Sequence, residues 1–361
     1  MFAANHYVPI LRWKRGERFA LAKLARDARS AITPLVELTP KMFEAPAKGR
    51  CQGLKPEPSD VLFQTSKGLL KDWGNSPVFV DFWHVDGKLP ASIAKKHPLE
   101  YMAAEARGMR LALIPVTALG RSPEHQKAVL QVAALDGRGV CIRVTPEDIL
   151  RDHFSAQLKN LLKELNSKKD QVDLILDYQV FDGDKPLPRK LLDRIPHLEE
   201  WRTLTLASGA FPKDLQEYEP GVQRIDRNDW LTWLRLLDQR PSTRKPSFAD
   251  YTIQYGRYVE PPDNCNPSAS IRYTLPEQWL VMRGEGIMNK KGPGREQWPA
   301  NAMLLCERPE FYGSTFSSGD RYIYRVSNGD ENHGSPETWI RAGINHHMTL
   351  VARQIGELGV P

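Results

Sequence analysis

Short apolar runs bounded by turn residues recur along the first 250 residues, and most are followed by a segment of helical period. Eight runs read as strands, near residues 7–13, 32–39, 78–83, 110–117, 140–144, 172–178, 202–208 and 247–253. They are rich in Val, Ile and Leu and bounded by Pro, Gly, Ser and Asp, as strands buried on both faces should be. Between them, GERFALAKLARDARS, VLFQTSKGLLKDWG, ASIAKKHPLEYMAAEARG (broken before Pro98) and PEHQKAVLQVAALDG read as helices. Ser122 stands before Pro123 and Thr145 before Pro146, each a cap followed by a proline in the first turn. From Pro146 a stripe of Ile149, Leu150, Phe154, Leu158, Leu161, Leu162 and Leu165 predicts one long amphipathic helix. Eight strand–helix units imply a parallel (β/α)8 barrel over residues 1–253, with a doubly wound open α/β sheet as the alternative architecture.

Residues 254–361 break this rhythm and read as a C-terminal extension packed on the barrel. SASIRYT and EQWLVMRGE predict a hairpin turning near Leu275–Glu277, followed by the basic, Gly-rich loop NKKGPGREQ. An aromatic stretch, EFYGSTFSSGDRYIYRV, precedes a final helix around INHHMTLVARQIGEL.

The strands carry charges where a core would exclude them. Lys14, Glu37, Asp81, Arg143, Asp177 and Asp250 fall at or near the C-terminal ends of six runs. A buried charge without a partner is costly, so the repetition points to one shared polar site at the barrel mouth, where such barrels place their chemistry. These six are the candidate catalytic residues. Glu37, Asp81 and Asp177 would suit a hard cation with oxygen ligands, Mg2+ or Mn2+. The cations, joined by Arg272 and Arg283 from the hairpin, would hold phosphate oxygens. Nothing in the spacing decides which acid binds metal and which acts as base. Lys14 and Glu37 are expected to meet across adjacent strands. The competing reading is structural, with buried ion pairs such as Lys14–Glu37 and Arg143–Asp177; a Schiff-base role for Lys14 rests on one residue only.

Composition narrows the class without naming a reaction. The 361 residues are 41% hydrophobic and 26% charged, as in an ordinary globular protein. No apolar run approaches a membrane span and no apolar signal core opens the chain, so a cytoplasmic location is expected. A net charge of +6 favours anionic partners weakly. Cys51, Cys141, Cys265 and Cys306 are too scattered for a zinc ribbon or a redox pair.

YVPILRWKRGERFAL with ITPLVEL after the first helix, and FYGSTFSSGDRYIY followed by WIRAGINHHMTLVARQI, resemble the opening and the ending of the phage and prophage beta protein family. VDFW, LILDY, RNDWLTWL and FADYTI extend the resemblance more loosely through the middle. It implies a phage-linked protein, with a role in phage–host conflict, and brings no catalytic residues with it.

Other features have blander readings. His346 and His347 are adjacent rather than at i, i+4, which favours packing over zinc ligation. His6 and His84 flank strand ends as potential bases, with surface histidine the default for each. Ser208 lacks a nucleophile elbow, and Trp230 and Trp233 make a core stripe. Lys290, Lys291 and Arg295 lack a Walker pattern but could clamp phosphate or nucleic acid. Two function classes follow. One is a metal-assisted hydrolase of phosphodiester or nucleotide-like substrates. The other is a non-catalytic component that binds nucleic acid or a protein encoded nearby through basic segments, including Arg240–Lys245.

Overall fold

The computed structural model describes residues 2–45, 53–181, 188–239, 244–260 and 265–359. Cys51 and the first four residues of the basic linker 240–245 lie outside them. Eight parallel strands close on themselves: β1 (Tyr7–Leu11), β2 (Leu35–Glu37), β3 (Val78–Asp81), β4 (Leu113–Thr117), β5 (Val140–Val144), β6 (Val172–Val180), β7 (Thr203–Gly209) and, after an intervening strand β8 (Gly221–Asp226), β9 (Ser247–Asp250). Pairing of Tyr7 with Phe248 joins first to last, so the sheet is a (β/α)8 barrel rather than an open one.

Strand parity sets what each residue faces. Val8, Ile10, Leu35, Phe79, Ile114, Val116, Cys141, Ile175, Ala207, Ala249 and Tyr251 pack together as the barrel interior. Their neighbours Tyr7, Leu11, Val36, Val80, Ile142, Leu176, Leu206 and Phe248 join the outer layer shared with the helices.

That outer ring holds α1 (Arg15–Ala22), α2 (Arg26–Ser30), α3 (Pro58–Asp72), α4 (Pro98–Gly108), α5 (Pro123–Asp136), α6 (Pro146–Leu150), α7 (Phe154–Glu164), α8 (Pro188–Leu192) and α9 (Asn228–Gln239). The long helix expected from Pro146 is two. Thr145 and Asp148 form a capping box around a single turn, and Arg151 is extended. Phe154, Leu158 and Leu161 remain buried on the second piece. The first expected helix likewise breaks between α1 and α2. No helix among the described residues is long and apolar enough to cross a membrane.

Beyond the barrel, β10 (Ile271–Thr274) and β11 (Gln278–Arg283) form the expected hairpin, and β8 adds to its edge in the order β10-β11-β8. With α10 (Gln297–Cys306) and α11 (Ser318–Ser327) it encloses a second core around Tyr273, Leu280, Trp298 and Trp339. The last helix, α12 (Pro336–Glu357), runs back along α1 and against β1, taking the place of the helix that should follow the eighth barrel strand. The extension thus stands between β9 and its own barrel helix. Asn345 fixes this return: its Nδ2 donates to Ala20 O at 2.9 Å, and its Oδ1 accepts from Gly319 N at 2.9 Å.

Gly343 lets α12 seat this closely, since a Cβ there would meet Arg272 O at 2.6 Å and Ile253 Cδ1 at 2.7 Å. Gly343→Ala should therefore destabilise the protein by about 1–3 kcal/mol despite its better helix propensity. Urea denaturation checks this; a stabilised variant would mean that α12 is not seated as described.

Candidate active site at the barrel mouth

Parity carries Glu37, Asp81, Arg143 and Asp177 inward, two residues beyond Leu35, Phe79, Cys141 and Ile175 of the apolar interior. They meet in one network centred on Arg143, which is 1% exposed. Its Nη1 donates to Glu37 Oε1 and to Asp81 Oδ2, both at 2.8 Å. Nε and Nη2 donate to Asp177 Oδ2 at 2.9 and 2.6 Å, and Nη2 also reaches the Tyr251 hydroxyl at 2.6 Å. Tyr251 in turn donates to Asp177 at 2.8 Å. The guanidinium lies over the Trp83 ring, 4.6 Å from its centroid.

Two further arginines balance the acids. Arg12, two residues beyond Ile10, has its Nε 3.6 Å from Glu37 Oε2 and donates through Nη2 to the carbonyls of Tyr255 and Gly256. Arg121, from the β4–α5 loop, donates to Asp81 Oδ1 at 2.6 Å. Three carboxylates therefore face three guanidinium groups. Backbone N–H groups of Trp83 and Gln179 add 2.8 Å bonds to Asp81 and Asp177.

Burial by itself favours neutral forms, but the network reverses this. Burial raises the Glu37 carboxyl, yet Arg143, His84 and Arg12 together bring it down to about 2. Burial likewise opposes the charge on Arg143, and the oxygens of Tyr251, Asp177, Glu37 and Asp81 outweigh it, holding the group well above its ordinary range.

At the rim, His84 sets Nε2 3.3 Å from Glu37 Oε2, and its side chain keeps 17% exposure. Its ring lies between Trp83 and Tyr258, with centroids 5.7 and 5.0 Å away. The Mg2+ or Mn2+ expected among Glu37, Asp81 and Asp177 does not fit this arrangement. Arg143 donates to all three acids, so a dication there would stand against a guanidinium at close range.

Several expected members are elsewhere. Lys14 is exposed just beyond the strand, where it precedes α1 and its backbone N–H donates to Glu17 at 2.8 Å. Trp13 takes a left-handed conformation (φ 52°) that turns the chain out of the barrel, so Arg12 rather than Lys14 meets Glu37. Asp250 has the parity of Phe248 and faces outward. It accepts from Tyr7 OH at 2.6 Å and from Thr252 N at 2.8 Å, and bonds His347 Nε2 at 2.9 Å. Burial pulls the His347 pKa down, so the ring is a neutral donor to Asp250 while its Nδ1 faces Thr274 Oγ1 at 2.9 Å. His346 bridges Asp320 and Thr274 O at 2.9 and 2.8 Å. Both histidines are completely buried and tie α12 to the hairpin and the barrel.

Arg272 donates to Ile253 O at 2.8 Å and stacks on Phe211, and Arg283 donates to Leu215 O at 3.0 Å. Both reach the loops after β7 and β9, but neither touches the acids. Burial brings Arg272 down to about 10. Lys290, Lys291 and Arg295 are exposed in the segment before α10. His6 bonds Thr33 at the opposite, N-terminal end of the barrel. Arg12, Arg121 and Tyr251 were missed by the sequence reading. Two-residue parity counted from Ile10 and Ala249 selects Arg12 and Tyr251, whereas Arg121 lies in a loop with no period to mark it.

A family profile described as Beta protein matches residues 7–353. No curated protein matches the chain. Among solved structures, the tryptophan synthase A-subunit of the hyperthermophile Pyrococcus furiosus is 13% identical, with 70% of this chain and 90% of that one covered and a TM-score of 0.39. A mutant of the same subunit is 12% identical over 70% and 89%, also at 0.39.

Two outcomes follow from the network. Arg143→Met should cost about 3–5 kcal/mol, because three buried carboxylates lose their shared partner; a loss below 1 kcal/mol in urea denaturation would refute the central role of this residue. Glu37, lowered from 4.5 to about 2, should contribute about 3 kcal/mol. Because its folded pKa is depressed, that contribution is complete above about pH 4.5 and disappears as pH falls towards 2. The stability difference between wild type and Glu37→Gln should shrink across that window, and a difference independent of pH would contradict the assignment.

Proposed function

The chain belongs to the beta protein family, and we propose that its barrel mouth is an acid–base centre acting on a phosphodiester or nucleotide-like substrate, with His84 as the group that moves the proton. The observation that carries this reading is the His84–Glu37 pair. It joins a partly exposed imidazole to a buried, ionised carboxylate at the end of the barrel where such folds place their chemistry. Glu37, held by Arg143 and Arg12, orients the ring through Nε2, which leaves Nδ1 to accept a proton.

In the proposed hydrolysis, His84 takes a proton from water as the water oxygen bonds to phosphorus. The bond from phosphorus to the leaving oxygen breaks, and that oxygen receives the proton from the imidazolium. Anion binding is supported by two buried donors near the same acids. Arg12 Nε and Arg121 Nη1 have no hydrogen-bond acceptor among the described residues, and a phosphate oxygen would supply one. No step is routed through a metal at Glu37, Asp81 and Asp177, since Arg143 fills the space between them.

A panel of nucleotides, model phosphodiesters and single- and double-stranded nucleic acids, each with and without Mg2+ or Mn2+, tests the reading. His84→Gln should lower turnover by about 10²–10⁴-fold while leaving the melting temperature near wild type. Absence of turnover by wild type across the panel, or full turnover in His84→Gln, would sink it.

A further inference from the structure

We propose that Asp86, His97 and His125 form a binding site for one divalent transition-metal ion of nitrogen and oxygen preference, such as Zn2+. The site lies beside the barrel mouth and shares no residue with the acid–base pair above. Asp86 comes from the β3–α4 loop, His97 caps α4, and His125 stands in the first turn of α5. One potential ligand atom from each lies within 4.8 Å of the others. Tetrahedral coordination at about 2.0–2.2 Å brings ligand atoms to about 3.4 Å, a closure that small side-chain rotations provide.

The state of His125 points to an ion rather than to packing. The residue is completely buried. Its Nε2 is 3.2 Å from Val116 O, a contact that makes Nε2 the protonated nitrogen and Nδ1 a bare lone pair. Nδ1 is buried and has no hydrogen-bond partner among the described residues. A buried acceptor without a donor is rare and costly, and a ring N–H given to a backbone carbonyl is how metal-binding histidines are commonly oriented. Burial also brings His125 down to about 4 and lowers His97, so both rings are neutral at physiological pH, as ligation requires.

Asp86 is oriented in turn by Ser122, whose Oγ donates at 3.0 Å and whose N–H donates at 3.3 Å. The weakest member is His97, whose Nδ1 already accepts from Leu99 N at 3.2 Å, so capture through Nδ1 would compete with that cap, whereas capture through Nε2 would leave it intact. Arg121 places a positive charge near His125, and its 2.6 Å bond to Asp81 offsets this. Two imidazoles and one carboxylate leave a tetrahedral ion one open position.

Chelator-treated, desalted full-length protein titrated calorimetrically with ZnCl2 tests the site, with visible absorption on Co2+ addition as a second readout. Wild type should bind one equivalent saturably and melt at higher temperature with Zn2+. Asp86→Asn and His125→Gln should each weaken binding by at least about 10-fold, and the Co2+ spectrum should change with them. Melting of the metal-free variants verifies folding; if His125→Gln does not fold, half-buried Asp86→Asn carries the test. Absence of one-to-one binding by wild type, or binding by Asp86→Asn equal to wild type, overturns the proposal, the latter placing the ion on surface histidines.

Discussion

Arg143 is the constraint around which the barrel is organised. A guanidinium with 1% exposure is tolerable only when its donors are satisfied and its charge is matched. Glu37, Asp81, Asp177 and Tyr251 meet that demand from β2, β3, β6 and the chain just after β9. Each acid is answered again, by Arg12, by Arg121 or by a backbone N–H. A shift of one strand by a single residue would exchange a charge for an apolar side chain on the inner face, so the network also fixes strand register. The barrel is consequently apolar below this layer and ionic within it, and the rim groups rest on a rigid, charge-matched floor.

That floor explains why His84 is the more promising chemical group than the acids beneath it. The carboxylates have their oxygens occupied by guanidinium and backbone donors, whereas His84 touches one of them and retains access to solvent. The metal-competent cluster stands one layer out, under the N-termini of α4 and α5. It uses a carboxylate and two neutral imidazoles that the ionic network leaves free.

A second buried polar system performs a different task. Tyr7, Asp250, His347, Thr274, His346 and Asp320 link the outer face of the barrel through α12 to the hairpin and α11. The chain after β9 makes a hairpin, which β8 completes into a small sheet, and two helices before it supplies the eighth barrel helix. These directional bonds, with the close approach at Gly343, hold that late-arriving helix in register against β1 and α1.

The sequence by itself determined the eight barrel strands, the hairpin and the convergence of Glu37, Asp81, Arg143 and Asp177, because apolar runs and a period of two are local properties of the chain. The same period places Asp250 on the outer face and Arg12 on the inner one, a count that attention to strand-end charge alone overlooks. Only the tertiary structure decided the rest. Whether Lys14 stays in line with its strand depends on the left-handed turn at Trp13, which no composition announces. Arg121 and His84 reach the acids from loops, and Asp86, His97 and His125 meet from three segments brought together by packing. Above all, a ring of strand-end charges reads alike whether its centre holds a cation or a side chain, and it is the length and planarity of Arg143, reaching across the closed barrel, that fills it.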